Sequence, residues 1–274
     1  MTGIGMSGVG IGTIIIPLIM ASFINSYGWR TSYVIVGFIT LLSIAGIAQF
    51  LRREPSITKS IPQDGELIGT DIIGVMADRL SCRQAIQTRP FWLICVMLFS
   101  FGFALQVIMV HIVPHAIDLG IPETTATSIM ATIGGIGIAG RVVMGSVSDR
   151  IGNKSALNIC FALLSVALFW LLFNNELWML YVFAVIFGFA YGGFAPLTSL
   201  TVAELFGLRA HGTILGGTEI FYTIGAAIGP VFAGSIFDAT GNYQYAFLTS
   251  GLLCVMALIW VSLLKPVTSG NSST

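Results

Sequence analysis

Two charged residues lie inside long apolar runs of the chain: Arg141 within residues 125–147 and Glu219 within residues 213–235. A cation in the hydrocarbon core of a bilayer costs at least about 2.5–3.5 kcal/mol, so such a residue needs a partner or a water-filled cavity. A guanidinium is a planar, permanently charged fork that can bind a carboxylate through two hydrogen bonds. Arg141 is therefore a candidate functional residue that faces a partner or a cavity. The alternatives are a permanent internal ion pair and an arginine that snorkels to the membrane surface.

Glu219 is the candidate partner of Arg141. Arg141 lies about seven residues before the end of its run, and Glu219 lies about seven residues after the start of its own. If both runs are helices, each charge lies roughly 10 Å from the same membrane surface. The spacing predicts that Glu219 can pair with Arg141 until an anion or a proton arrives.

Histidine and aromatic residues provide further candidates for ligand contact. His111 and His115 lie near the C-terminal end of the run 91–113. Histidine titrates near physiological pH, so these residues could contact substrate or sense protons, or they could cap a helix end around Pro114. Three aromatic residues could line a cavity or simply pack between helices: Tyr191, Phe194 and Tyr222.

A polar loop between two apolar runs reads Gly145-Ser-Val-Ser-Asp149-Arg150-Ile-Gly152. Glycine allows two helices to approach each other, and charges at helix ends interact with the helix dipole and with partner charges. We therefore predict that Asp149 and Arg150 form a latch. The alternative is a solvated turn with ordinary charges.

The composition is that of a membrane protein. The 274-residue chain is 55% hydrophobic and 9% charged, whereas a soluble domain carries about 25% charged residues. Eight runs approach or exceed the roughly 20 apolar residues that cross a hydrocarbon core. Backbone groups in lipid must be paired internally, so these runs are predicted to be helices of an all-α membrane protein. The predicted spans are residues 3–24, 31–51, 91–113, 125–147, 155–173, 177–200, 213–235 and 244–264.

The distribution of basic residues predicts the orientation. If the chain starts in the cytoplasm, only Arg30 lies in an outer loop, and Arg141 lies within a span. This asymmetry follows the positive-inside rule and predicts a multi-pass protein of the plasma or inner membrane with both ends cytoplasmic. Ten basic residues then lie on the cytoplasmic side: Arg52, Arg53, Lys59, Arg79, Arg83, Arg89, Arg150, Lys154, Arg209 and Lys265.

An internal repeat predicts the domain organisation. Residues 17–28 align without a gap to residues 230–241, with Pro, Ser, Asn/Asp and Gly in register. A parallel duplication of this kind makes the first two spans equivalent to the last two and predicts four further helices before Met1. The chain would then be a fragment; a genuine eight-span protein is the alternative.

The predicted domains are 1–51 (last two helices of an N-terminal bundle), 52–90 (cytoplasmic linker), 91–265 (six-helix C-terminal bundle) and 266–274 (cytoplasmic tail).

The loop at residues 145–152 resembles the G-x-x-x-D-R-x-G signature of the major facilitator superfamily. Further segments resemble the monocarboxylate and oxalate/formate transporters of that superfamily: Gly28-Trp-Arg30, Thr88-Arg-Pro-Phe-Trp92, Val110-His-Ile-Val-Pro-His115 with Asp118-Leu-Gly120, Gly140-Arg-Val-Val-Met-Gly145, and Gly229-Pro230 to Tyr245. The resemblance implies secondary transport of a monocarboxylate or dicarboxylate by alternating access, without a cofactor. It also implies that Arg141 binds the carboxylate and that spans three, four, six and seven line the cavity.

The chain departs from this family at two positions. Monocarboxylate transporters have an aspartate one turn before the arginine, where this chain has Gly137, and the oxalate-type lysine of the seventh span is absent, leaving Glu219. Neither proton coupling nor oxalate exchange therefore follows from the resemblance. Protons remain a possible second partner beside the anion and the lipid bilayer.

Other classes of function find little support in the sequence. Residues 135–140 match G-x-G-x-x-G but lie inside an apolar run, where no strand can precede them as a dinucleotide site requires. Small residues at four-residue spacing instead predict close helix packing, as in Ala131/Gly135/Ala139, Gly188/Gly192 and Gly8/Gly12. Ser7 in G-x-S-G suggests an intramembrane protease, but His111 and His115 lie near the opposite face. We expect no enzyme activity, metal or nucleic-acid partner; a non-transporting scaffold or inactive truncated transporter remains the alternative.

Overall fold

The computed structural model describes residues 2–50, 82–173, 176–207 and 210–264, and for residues 2–15, 17, 18, 21, 25, 50 and 82 only the backbone. Every regular element in these ranges is a helix, which confirms the predicted all-α fold. The helices are α1 (Thr2–Phe50), α2 (Cys82–Ile86), α3 (Arg89–Asp118), α4 (Glu123–Ile151), α5 (Asn153–Leu171), α6 (Leu177–Phe206), α7 (His211–Thr240) and α8 (Gln244–Leu263).

Helix α1 is interrupted at Gly28, whose φ of 74° and ψ of 158° are not helical. Glycine adopts positive φ at little cost. Gly241, the equivalent position of the sequence repeat, ends α7 with a φ of 73°. Both glycines have a positive φ, but their ψ values of 158° and 10° differ, so the two copies of the repeat end in different backbone conformations.

Seven helical segments among the described residues are long and apolar enough to cross a membrane. Six are α3 to α8, and the seventh is Ser26–Gln49 within α1. The predicted span 3–24 is also helical, although the side chains of most of its residues lie outside the described set. Several helices extend beyond the predicted limits, as in α3 from Arg89 to Asp118, because a helix can continue into the polar surface region once the hydrocarbon core is crossed.

Glycine allows two helix pairs of the bundle to approach closely. Helices α3 and α7 meet where a Cβ on Gly225 would overlap the carbonyl oxygen of Phe99, and helices α4 and α6 meet where a Cβ on Gly192 would overlap that of Gly137. A Cβ on Gly188 would lie 2.6 Å from the carbonyl oxygen of Ile133. The predicted packing role of Gly188 and Gly192 is therefore confirmed.

The small residues predicted to pack on α4 lie on the wrong face. A Cβ on Gly135 would have nothing within 4 Å among the described neighbours, and Ala131 and Ala139 are exposed. The face that contacts α6 instead carries Gly137 and Gly140. Helix α4 has small residues on two faces, so their spacing alone could not identify the packed one.

The predicted linker is described only at its end. Residues 51–81 and the tail after 264 lie outside the described set, as do the side chains of Ser7, Gly8 and Gly12. The short helix α2 precedes the bundle, and the indole Nε1 of Trp92 donates to the carbonyl of Ile86 over 3.0 Å. This hydrogen bond joins α2 to the start of α3.

Candidate binding cavity

A cavity of about 240 Å³ lies between α3, α4, α6 and α7. These helices correspond to spans three, four, six and seven, which were expected to line it. The cavity contains one cationic and one anionic side chain in a mostly apolar and aromatic wall. Its lining residues are Leu98, Phe101, Leu105, Arg141, Tyr191, Phe194, Ala195, Thr198, Glu219 and Tyr222.

Arg141 is only 2% exposed. Its Nη2 donates to the hydroxyl of Tyr191 over 3.3 Å, and its Cζ lies 5.6 Å from the centre of the Tyr191 ring. Its Nη1 is buried and has no hydrogen-bond partner among the described residues. A buried donor without a partner is costly, so this nitrogen is a ready donor to a ligand in the cavity.

Gly137 leaves space for the tyrosine that contacts Arg141. A Cβ on Gly137 would lie 3.5 Å from both Cδ1 and Cε1 of Tyr191. Gly137 precedes Arg141 by one helical turn, so the Tyr191 ring packs beside the same face of α4. The sequence indicated Tyr191 only as a possible cavity residue. Its role as the arginine's partner depends on the approach of α6 to α4.

Glu219 and Tyr222 lie one turn apart on α7 and line the same cavity as Arg141. Ten residues separate Arg141 from the end of α4 at Ile151, and eight separate Glu219 from the start of α7 at His211. These separations are roughly 15 and 12 Å, so the two charges lie at similar depth. In this structure, however, the guanidinium donates to Tyr191 rather than to the Glu219 carboxylate. Their direct pairing stays a prediction for another state.

Stacked aromatic rings form one wall of the cavity. The rings of Phe101 and Phe194 are 3.6 Å apart between centres and 20° from parallel, and Tyr222 lies 6.2 Å from Phe101. Tyr191, Phe194 and Tyr222 all line the cavity, which is one of the two roles that the sequence left open for them.

His111 does not line this cavity. It lies six residues beyond Leu105, the last lining residue of α3, which is roughly 9 Å along the helix. Its Nε2 is 3.1 Å from the carbonyl oxygen of Pro230, and its ring centre is 5.0 Å from that of Tyr243. His111 therefore contacts α7 and the residue that precedes α8 and is not among the cavity-lining residues; its contact with substrate stays a prediction.

The predicted latch residues lie at the junction of α4 and α5. Gly152 has a φ of 85°, and its N–H donates to the carbonyl of Ser148 over 2.9 Å, which ends α4. Gly145 does not allow helix approach within the described structure, since a Cβ there would have nothing within 4 Å; this part of the prediction was wrong. Asp149 and Arg150 are exposed, and their role as a latch stays a prediction.

Two polar contacts at this end of the bundle were not foreseen from the sequence. Asn153 donates through Nδ2 to Oε2 of Glu204 on α6 over 3.0 Å. The Lys154 ammonium donates to the carbonyl of Leu264 after α8 over 2.7 Å. These bonds hold the start of α5 against the ends of α6 and α8. They join residues far apart in sequence, so local pattern carried no signal for them.

A sequence profile of the major facilitator superfamily matches residues 1–157 and residues 92–274. The chain belongs to the major facilitator superfamily. The proteins that the chain resembles are transporters rather than enzymes, as expected. It is 28% identical to monocarboxylate transporter 12 of Rattus norvegicus over 96% of this chain and 58% of that protein. It is 29% identical to monocarboxylate transporter 12-B of Danio rerio over 96% of this chain and 59% of that protein.

Solved structures of the superfamily share the fold. The transporter FucP in its outward conformation aligns with a TM-score of 0.60 and 17% identity, over 88% of this chain and 57% of FucP. The chain thus spans somewhat more than half the length of the proteins that it matches. The predicted superfamily and the resemblance to its monocarboxylate group are confirmed.

Proposed function

We propose that the protein acts in secondary active transport of a small organic anion, a monocarboxylate or dicarboxylate, by alternating access. The observation that carries the proposal is the buried Nη1 of Arg141, which has no partner within the described part of the chain while Arg141 lines a cavity. A carboxylate would accept from this nitrogen, and an anion compensates the buried positive charge. The relatives named monocarboxylate transporters support this assignment.

The other residues of the cavity and loop have supporting roles in this proposal. Glu219 is the alternating partner of Arg141 or a proton carrier, and Tyr222 contacts the ligand from the same helix turn. Asp149 and Arg150 form a cytoplasmic latch beside Gly152 when one half of a transporter rocks against the other. The protein acts in the plasma or inner membrane.

A non-transporting scaffold is less consistent with the cavity. A scaffold gains no stability from a buried guanidinium nitrogen without a partner, because such a group costs free energy. An intramembrane protease is also disfavoured, since the neighbours of His111 are the Pro230 carbonyl and the Tyr243 ring rather than a serine hydroxyl.

The experiment is binding and uptake of radiolabelled carboxylates by the whole chain, in nanodiscs and in proteoliposomes, with Arg141→Lys and Arg141→Gln. We expect both variants to bind at least about tenfold more weakly, equivalent to about 1.4 kcal/mol, because lysine cannot reproduce the planar fork. Arg83→Gln is the matched control, since Arg83 is exposed on α2, outside the cavity. Unchanged carboxylate binding by Arg141→Gln would reject the proposal.

A further inference from the structure

The cavity contains two opposite charges that do not neutralise each other. Arg141 contributes a cation whose Nη1 has no partner in the ranges that the structure describes, and its Nη2 donates to the neutral hydroxyl of Tyr191. Glu219, on α7, contributes an anion to the same lining, and its side chain is exposed. In a wall of mostly apolar side chains, charges interact more strongly than in water. A ligand that satisfies only one of them leaves the other unbalanced.

We infer that the preferred ligand is a small zwitterion, a carboxylate that also carries a cationic nitrogen. The inference rests on the proposed function and specifies its substrate class. Arg141 would bind the carboxylate, and Glu219 would accept hydrogen bonds from the cationic nitrogen. A simple carboxylate would leave the Glu219 charge without compensation, and a dicarboxylate would place a second negative group near it. A zwitterion would compensate both charges.

The aromatic wall supports the position of the cationic end. Tyr222 lies one turn after Glu219 on α7 and packs near the stacked rings of Phe101 and Phe194. Aromatic faces attract cations through the quadrupole of the ring. An ammonium or guanidinium group beside Glu219 would therefore have a carboxylate and aromatic rings within reach.

The cavity volume of about 240 Å³ is large enough for a small ligand. A chain of a few carbons between a carboxylate and an amine fits this space. The four-carbon compound 4-aminobutanoate is a suitable probe, and it has matched analogues that lack one charge or reverse it.

The first test compares affinities of matched probes for the whole chain in nanodiscs at pH 7 by calorimetry. The probes are 4-aminobutanoate, butanoate, butylammonium and butanedioate. We expect 4-aminobutanoate to bind at least about tenfold more tightly than each of the other three. Equal or tighter binding of butanoate or butanedioate would overturn the inference.

The second test asks whether Glu219 binds the cationic end of the ligand. In Glu219→Gln we expect 4-aminobutanoate to lose its advantage over butanoate to within about threefold, while butanoate binds as well as before or better. Glu123→Gln is the control, because Glu123 lies in the first turn of α4, outside the cavity lining, and should keep the wild-type preference. A zwitterion preference that survives in Glu219→Gln would overturn the inference.

The outcomes separate this inference from the proposed function. If carboxylates bind in an Arg141-dependent manner without preference for the zwitterion, the substrate class is wrong and the transport proposal stands. If no probe depends on Arg141, both are wrong. A third outcome is uptake of carboxylates but not of zwitterions, with a requirement for both Glu219 and a pH gradient. Glu219 would then carry protons, and this outcome would also overturn the inference.

Discussion

Tyr191 contacts Arg141 in two ways, through its hydroxyl at 3.3 Å from Nη2 and through its ring at 5.6 Å from Cζ. The hydroxyl fixes the direction of the guanidinium, whereas the ring offers a weaker attraction to the charge. The side chain that orients the candidate anion site is therefore a neutral residue on a different helix. Such a partner leaves the positive charge available to a ligand.

Tyr191→Phe removes the hydroxyl and keeps the ring. Hydrogen bonds to charged groups contribute about 1.5–3 kcal/mol, and this one is long, so we expect carboxylate affinity to fall by about three- to tenfold. Titration calorimetry in nanodiscs measures the change. Tyr181→Phe is the matched control, because the Tyr181 hydroxyl bonds to Oγ of Ser128 over 2.7 Å and lies outside the cavity lining. Equal losses in both variants would contradict a specific role for Tyr191.

At the scale of the helices, the cavity depends on two glycine-mediated contacts. Helices α4 and α6 approach at Gly137, Gly188 and Gly192, and helices α3 and α7 approach at Gly225. The first contact brings Tyr191 to Arg141. The second positions the helix that carries Glu219 and Tyr222. The distances among the charged residues are thus set by packing elsewhere on the same helices.

Gly192→Ala should destabilise the bundle and weaken ligand binding. The added methyl would overlap the carbonyl oxygen of Gly137, and overpacking of this kind costs about 1–3 kcal/mol. We expect a lower apparent melting temperature in detergent. Gly135→Ala is the control: its Cβ would have nothing within 4 Å among the described residues, and alanine favours helix over glycine by up to about 1 kcal/mol. A lower melting temperature in the control alone would contradict the packing argument.

At the scale of the whole molecule, basic residues collect at one end of the six-helix bundle. Arg89, Arg150 and Lys154 lie at starts or ends of helices there, whereas Asp118 and Glu123 lie at the opposite end of α3 and α4. The positive-inside rule assigns the basic end to the cytoplasm. This orientation is a prediction for the protein in its membrane.

Cysteine labelling tests the orientation. Thr124 and Ser155 are exposed near opposite ends of the bundle, so Thr124→Cys should react with a membrane-impermeant maleimide in intact cells. Ser155→Cys should react only after permeabilisation. Cys82 is replaced by serine in both, and Cys95, Cys160 and Cys254 are buried. The reverse labelling pattern would show that the topology is inverted.

Membrane class, helical architecture and the two charged residues of the cavity could be predicted from the sequence. Arg141 and Glu219 are conspicuous because each is a charge within an apolar run, and the cost of burying a charge makes such residues informative. The helix ends were harder to predict, since α3 continues to Asp118 although the apolar run ends earlier. Polar residues at a helix end do not stop the backbone from hydrogen bonding.

The faces of the helices could be decided only by tertiary structure. Hydropathy is a property of each segment, so the sequence by itself determined which segments cross the bilayer and which charges they carry. Three features depend on how neighbouring helices are rotated about their axes. Gly137 rather than Gly135 is the packed glycine, Tyr191 contacts Arg141, and His111 lies outside the cavity lining. That rotation results from contacts between residues distant in sequence, and α4 presents small residues on more than one side.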